Sequence, residues 1–262
     1  MPRHIHETDL RIGVVIPTYN EADNLPKLIS TLLALPLDLF VLIVDDNSPD
    51  GTGALADELA ESNAERMSVL HRTTRLGISS AYVHGFRCAL ERGAEAVCQM
   101  DADFSHDPAT LVTMTKCLET CDVVLGSRYT PGGSVDDRWP LWRKGLSAWG
   151  NLYARMILRV PVRDITTGYR LWRSETLRGM PVGSIQSKGY IFQVEMAYLT
   201  HCLEYQIRET PVHFADRCRG KSKMSLQIQV EAAWRVWQIW LTHRHLCHIG
   251  SAARIQQSEA MT

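Results

Sequence analysis

Apolar and polar positions alternate in blocks along the first 127 residues. Ile12-Gly-Val-Val-Ile16 is a short apolar run rich in β-branched residues and reads as a buried strand. Leu25, Leu28, Ile29, Leu32 and Leu33 then fall on one helical face, which predicts a helix over 20–33 with Asn20 as its N-cap. Leu39-Phe-Val-Leu-Ile-Val44 is a second buried strand, closed by Asp45-Asp-Asn-Ser-Pro-Asp-Gly51. The same reading gives a helix near 52–62, a strand at 68–71, a helix over 78–91, a strand at 96–100, a helix from Pro108 and a strand at 122–126. Strand and helix repeated in this way predict a doubly wound α/β domain, its parallel sheet joined by right-handed crossovers. Ligands of such sheets bind beyond the carboxyl ends of the strands.

The rhythm is lost after residue 127. Residues 129–142 are loop-like, with Pro131-Gly-Gly133 and Pro140. A helix is expected from Lys144 to Leu158, a strand at 169–172, a helix over 190–203 and extended chain from Tyr205 to Phe214. Leu226 to Leu241 is amphipathic: Leu226, Val230, Ala233, Trp234, Trp237, Trp240 and Leu241 share one face, opposed by Gln227, Glu231, Arg235 and Gln238. The expected layout is a tail (1–10), a catalytic domain (11–223, halves 11–127 and 128–223), an amphipathic helix (224–245) and a flexible tail (246–262).

Composition sharpens this picture through charge. The net charge of −1 over 262 residues looks neutral and gives no reason to expect nucleic acid as a partner. Split at residue 127, it is a cancellation. The first part holds nine Lys+Arg against nineteen Asp+Glu; the second holds nineteen against ten, and all seven Trp. The polar start argues against a secretory signal, and no run approaches the roughly 18 apolar residues of a membrane span. Seven scattered Cys read as buried reduced thiols of a cytosolic protein.

Acids gather at predicted strand ends. Strand 39–44 runs into Asp45-Asp46, and strand 96–100 into Asp101-Ala-Asp103. Carboxylates at one edge repel unless something positive lies between them, and a hard divalent cation that also takes substrate phosphates is the natural candidate. Asp-X-Asp on extended chain sends both side chains the same way. Alone it fits a solvated turn or helix cap better than a metal; directly after a buried strand in an α/β domain it favours a metal. The same edge should carry Pro17-Thr-Tyr-Asn-Glu21, where Tyr19 could pack on a base and Glu21 could accept from hydroxyls. Arg128 follows strand 122–126, and fits either a phosphate or a structural ion pair with a nearby Asp. His106 reads as helix-start surface or as support behind the metal motif.

Pro17-Thr-Tyr-Asn-Glu21, Val44-Asp-Asp-Asn-Ser-Pro-Asp-Gly-Thr52, Asp101-Ala-Asp-Phe-Ser-His-Asp-Pro108, Gly126-Ser-Arg-Tyr129, Asp164-Ile-Thr-Thr-Gly-Tyr-Arg170 and Asp216-Arg-Cys-Arg-Gly-Lys-Ser-Lys223 resemble the GT-A-type family 2 glycosyltransferases, and among them the dolichol-phosphate (polyprenol-phosphate) mannose synthases. The resemblance runs from about residue 11 to about 243. It implies a GT-A fold, a Rossmann-like, mostly parallel sheet with C-terminal amphipathic interface helices. It also implies roles. Pro17, Tyr19, Glu21, Val44, Asp46 and Ala102 would contact the nucleotide sugar. Asp101 and Asp103 would hold Mg²⁺ or Mn²⁺ against its diphosphate. Arg128, Arg217 and Lys223 would bind phosphate. Asp103 and Arg128 would carry catalysis. A mobile acceptor loop would span roughly 129–147, with Arg143 and Ser147 joining Arg128 and Arg217 on the acceptor phosphate. Some relatives use a Gln as a further metal ligand where Ser105 stands here, so water would substitute. Lys221 is a second departure.

The resemblance therefore implies an inverting, metal-dependent enzyme moving mannose from GDP-mannose to a polyprenyl monophosphate. UDP-glucose as donor, a soluble sugar acceptor, and a non-catalytic sugar-nucleotide scaffold are the rivals. A phosphate monoester has its second pKa near ~6 and is a ready nucleophile without a strong general base. The Trp-rich basic part suits the surface of a bilayer. The expected location is cytoplasmic, bound peripherally to the cytoplasmic membrane face, either directly or through a membrane-anchoring subunit.

Overall fold

The computed structural model describes residues 10–216 and 233–247. Seven strands form one sheet: β1 (Ile12–Thr18), β2 (Leu39–Asp45), β3 (Met67–His71), β4 (Ala96–Gln99), β5 (Val123–Ser127), β7 (Arg170–Arg173) and β8 (Ile207–Pro211), in the order β3-β2-β1-β4-β7-β5-β8. All neighbours pair in parallel except β7, which runs antiparallel to both β4 and β5. A short parallel ladder, β6 (Ser134–Val135) with β9 (His213–Phe214), stands apart.

The central strands are buried on both faces, and their residues divide by parity. Val15, Phe40, Leu42 and Val44 point into one apolar layer with α3 (Ile78–Glu91), α5 (Leu141–Leu158), α7 (Ile191–Cys202) and residues 233–247, which are helical. Ile12, Val14, Ile16, Leu39, Val41 and Ile43 point into the other, with α1 (Leu25–Leu33), α2 (Thr52–Ser62) and α4 (Thr110–Leu118). A short helix, α6 (Ser174–Gly179), follows β7 and adds Leu177 to the first layer. Gly85 lets α3 close on β1, because a Cβ there would run into the Val15 side chain.

Several expectations need correction. The first helix begins at Leu25, and Asn20 is not its cap but a left-handed residue with φ 63°. The reason lies in the neighbouring loop. The amides of Asn20, Glu21 and Ala22 bond to Ser48 Oγ (3.1 Å), Thr52 Oγ1 (2.9 Å) and an Asp50 carboxylate oxygen (3.4 Å), so these residues are held outside the helix. The predicted loop over 129–147 contains strand β6, and from Leu141 it is helix, three residues before the expected start. The cysteines are not all reduced thiols: Cys202 and Cys247 are joined by a disulfide, while Cys88, Cys98, Cys117 and Cys121 are free.

The antiparallel β7 matters most for function. Its register sets Arg170 beside Gln99 and Leu125, near the carboxyl ends of β4 and β5. The chain entering β7, residues 164–169, therefore joins the edge where β1, β2, β4, β5 and β8 end.

Candidate active site

The first two motifs form one wall of that edge. Asp45 accepts from Thr18 Oγ1 (3.1 Å), Ser48 N (3.1 Å) and Ser48 Oγ (2.5 Å). Asp46 is buried, accepting from the amides of Leu76 (3.0 Å) and Gly77 (2.7 Å) and pairing with Arg72 (3.0 Å). Asp46 thus holds the 72–77 loop in place. That loop sets the Arg75 guanidinium 3.7 Å above the Tyr19 ring. Pro17 pairs with Val44 in the sheet, but the Val44 side chain is fully buried under α3 and faces the core rather than the edge. Ala102 is likewise a core residue. Glu21 accepts from Asn24 Nδ2 (2.8 Å).

The Asp-X-Asp segment sits at the centre. Tyr82 Oη donates to Asp101 Oδ1 (2.7 Å), and burial beside the Asp101 carboxylate pushes the Tyr82 hydroxyl well above its usual range, so it remains a donor. Asp103 is 5% exposed, and its Oδ1 accepts from both the amide (3.0 Å) and the hydroxyl (2.5 Å) of Ser105. Ser105, expected to leave a gap in the metal shell, is thus an orienting group. Phe104 between them has φ 58°, a strained value for an aromatic residue. His106 is not a surface residue. It is 2% exposed, stacks on Tyr169 at 5.0 Å between centroids, and accepts from the Asp101 amide at Nδ1 (3.5 Å). Burial lowers its pKa, outweighing the pull of Asp101 and Asp103.

No group of three or more His, Cys, Asp or Glu gathers as a metal site among the described residues. Asp101 and Asp103 supply two carboxylates, each with one oxygen fixed by a protein hydroxyl. That donor set fits a hard cation of the Mg²⁺ or Mn²⁺ kind, which shares its shell with phosphate oxygens and water.

Arg128 closes the other wall, and the ion-pair expectation applies. Its Nε and Nη2 reach the two oxygens of Asp164 (2.7 and 2.8 Å), its amide reaches Asp164 Oδ2 (3.0 Å), and Nη2 also reaches Thr166 (2.7 Å). Burial would raise the Asp164 pKa, but the Arg128 charge and hydrogen bonds hold it below the ordinary carboxylate value. Nη1 has no acceptor among the described residues. The Arg128 guanidinium lies 5.2 Å from the Tyr129 ring, and Tyr129 Oη bonds to Ser147 Oγ (2.8 Å). Arg143, one turn before Ser147, pairs with Asp216 (3.2 Å) and stacks on Trp139 at 3.7 Å. Arg128, Ser147 and Arg143 thus line one side of the edge, while Arg217 and Lys223 lie outside the described residues. Asp164 had no role in the sequence reading, although its motif was visible. Tyr82 lies within the predicted helix over 78–91, where no motif marks it, and Arg72 and Arg75 sit in a segment without a motif.

Beside this edge, α5 and the 233–247 helix present an apolar face. Tyr153 Oη donates to the Ala233 carbonyl (3.1 Å) and accepts from Trp237 Nε1 (3.1 Å), joining the two helices. Leu141, Trp142, Trp149, Leu152 and Met156 on α5 are exposed, as are Trp234, Trp237 and Leu241. Of the predicted apolar face of the last helix, Trp234, Trp237 and Leu241 look outward, whereas Trp240 is half-buried and packs with Val236 and Ile239 on the core; Leu226 and Val230 lie outside the described residues. No helix among the described residues is long and apolar enough to cross a membrane.

Residues 13–179 match the family described as Glycosyl transferase family 2. The chain belongs to this family. Over 235 residues it is 44% identical to the undecaprenyl-phosphate mannosyltransferase of Micrococcus luteus, spanning 90% of this chain and 96% of that one. Over 227 residues it is 42% identical to the polyprenol monophosphomannose synthase of Mycolicibacterium smegmatis, spanning 86% and 85%. A solved structure shares the fold. Glucosyl-3-phosphoglycerate synthase from Mycobacterium tuberculosis, in complex with Mn²⁺, uridine-diphosphate and phosphoglyceric acid, superimposes with a TM-score of 0.62 at 16% identity, covering 91% of this chain and 78% of that one.

Proposed function

We propose that this family 2 glycosyltransferase moves mannose from GDP-mannose to a polyprenyl monophosphate, with inversion at the anomeric carbon. The observation that carries the reading is that α5 joins two features: its inner side sets Arg143 and Ser147 beside Arg128 on the polar edge, and its outer side is the exposed Trp-rich face. A lipid phosphate needs both, a cationic grip for its head and an apolar surface to meet its bilayer. The names of the two mannosyl-transferring relatives support the sugar and the acceptor class.

The chain's own residues suit this reaction. Asp101 and Asp103 would hold Mg²⁺ or Mn²⁺, which supplies positive charge against the donor's diphosphate as the leaving group gains charge. Tyr19 and Arg75 offer a flat, cationic surface to the nucleotide. Arg128 offers Nη1 to phosphate while Asp164 fixes its plane, so little reorganisation is needed as charge develops. The acceptor arrives largely ionised, and no general base is required. His106, buried and neutral, packs behind Asp101. Attack from the face opposite the nucleotide inverts the sugar. The protein works at a membrane surface on its cytoplasmic side, bound peripherally through the exposed face.

Incubation with labelled GDP-mannose, UDP-glucose and UDP-GlcNAc in parallel, with short polyprenyl phosphate and Mg²⁺, tests the proposal. Label in the organic phase from GDP-mannose alone is the expected result. Label from UDP-glucose instead overturns the donor, and label only on a water-soluble acceptor overturns the lipid.

A further inference from the structure

Helix α7 is buried along nearly its whole length, yet it carries polar side chains, among them Gln193 at 5% exposure. Gln193 Oε1 accepts from Gln99 Nε2 (2.7 Å), and its main-chain carbonyl accepts from Arg170 Nη2 (2.7 Å). This seam is kept at a cost. Gln99 Oε1 and Arg170 Nη1 are buried with no partner among the described residues, and leucine at 99 and 193 would remove the first of these two orphans. Such a seam invites a reason beyond packing.

Gly168 points to one. A Cβ at this position would lie 3.5 Å from Asp101 Oδ2, 3.6 Å from Gln193 Nε2 and 3.6 Å from His106 Cε1. Its backbone is not left-handed, so conformation does not demand glycine. The missing side chain leaves a notch, with the Gln193 amide nitrogen on one side and the Asp101 carboxylate on the other. Nε2 has no protein acceptor among the described residues. Gln99 fixes the amide with its nitrogen toward the notch; the reverse orientation would set a carbonyl oxygen against the Asp101 carboxylate.

An amide donor beside a carboxylate acceptor matches one group well, an alcohol, which accepts from the first and donates to the second. A cation would not choose the nitrogen side. The notch opens at Asp101, where the diphosphate end of the donor lies, and on the far side of β1 from Tyr19 and Arg75. We propose that Gln193 is a specificity-determining residue that binds a hydroxyl of the transferred hexose together with Asp101, in a notch that Gly168 keeps open. This rests on the sugar-nucleotide reading above.

The test compares binding of GDP and GDP-mannose by titration calorimetry with Mg²⁺ and no acceptor, in the parent, Gln193→Leu and Gly168→Ala. A methyl at 168 meets its neighbours at ordinary contact distance, so this variant folds even if loss of the Gln99 acceptor unfolds the other. Both variants should bind GDP within about twofold of the parent and lose roughly tenfold in affinity for GDP-mannose. One monodeoxy analogue of GDP-mannose should bind the parent and Gln193→Leu equally. Equal weakening of GDP and GDP-mannose, or no weakening of either, overturns the assignment. A parent that binds GDP and GDP-mannose indistinguishably, with no penalty for any deoxy analogue, also overturns it. A parent that binds neither, but binds UDP-glucose, overturns the mannose reading instead; the same comparison with UDP and UDP-glucose then decides the notch.

Discussion

Asp164 tests how the basic wall is built. Its carboxylate is fully buried and accepts three N–H groups from Arg128 at 2.7 to 3.0 Å, while the Arg128 side chain is 9% exposed. Asp164→Asn keeps the shape but removes the charge, and turns one acceptor into an NH₂ facing Nη2. Two unit charges about 4 Å apart interact by about 4 kcal/mol at an effective dielectric of 20. Breaking a buried pair by neutralising one partner costs about 3–5 kcal/mol, because the remaining charge is left unpaired. At 2–4 °C per kcal/mol for a chain of this size, the midpoint of thermal unfolding should fall by roughly 10 °C. Urea unfolding of the parent, Asp164→Asn, Arg128→Met and the double variant gives the coupling directly. The double variant should be less impaired than the sum of the singles. If Asp164→Asn unfolds within about 0.5 kcal/mol of the parent, or the cycle closes additively, the pair does not organise this wall. In the same samples the KM for polyprenyl phosphate should rise more than the KM for the donor, since the freed guanidinium no longer holds one plane.

Three further outcomes follow from the site and the exposed face. Asp103→Ala should cut turnover by at least about 100-fold and abolish Mn²⁺-dependent binding of GDP, read by electron paramagnetic resonance, whereas Ser105→Ala should cost roughly tenfold by loosening Asp103. His106 should make stability fall with acid: its folded pKa is depressed by burial, so its contribution is full above the unfolded value near ~6.5 and is lost as pH drops from there through the folded pKa. Urea midpoints at pH 7.5 and 5.5 should therefore differ more in the parent than in His106→Gln. Replacing Trp142, Trp149 and Trp234, exposed at 69%, 58% and 68%, with Ser should weaken sedimentation with anionic liposomes by about tenfold or more, with the fold intact by circular dichroism; unchanged sedimentation removes this face from the membrane.

What was legible in the chain was what period and position encode. Strands β1, β2, β4 and β5 are continuous apolar runs because both their faces are covered, and acids placed after them fall at one edge by the handedness of the crossovers alone. That sufficed to locate Asp101, Asp103, Tyr19 and Arg128. It did not suffice for contacts made across the edge. Asp46 reads as a ligand-facing acid, yet two amides 30 residues later close on it. Asn20 reads as a cap, yet its amide is taken by Ser48. In both cases a short-range rule was outbid by a partner that only the sheet brings near.

The insertion of β7 is the deepest instance, and it bears on the chemistry. A four-residue strand carries no sign of its direction. Running antiparallel between β4 and β5, it turns its entering segment toward the edge that parallel strands leave. Had β7 been parallel, Asp164 and Gly168 would lie at the opposite end of the sheet, some four residues of strand away from Arg128 and Asp101. One reversed strand thus delivers the carboxylate that fixes the arginine and the glycine that leaves room beside the Asp-X-Asp pair. The acidic and basic halves of the chain are joined through it: β7 belongs to the basic half, and its first residue, Arg170, pairs across to Gln99 of the acidic one.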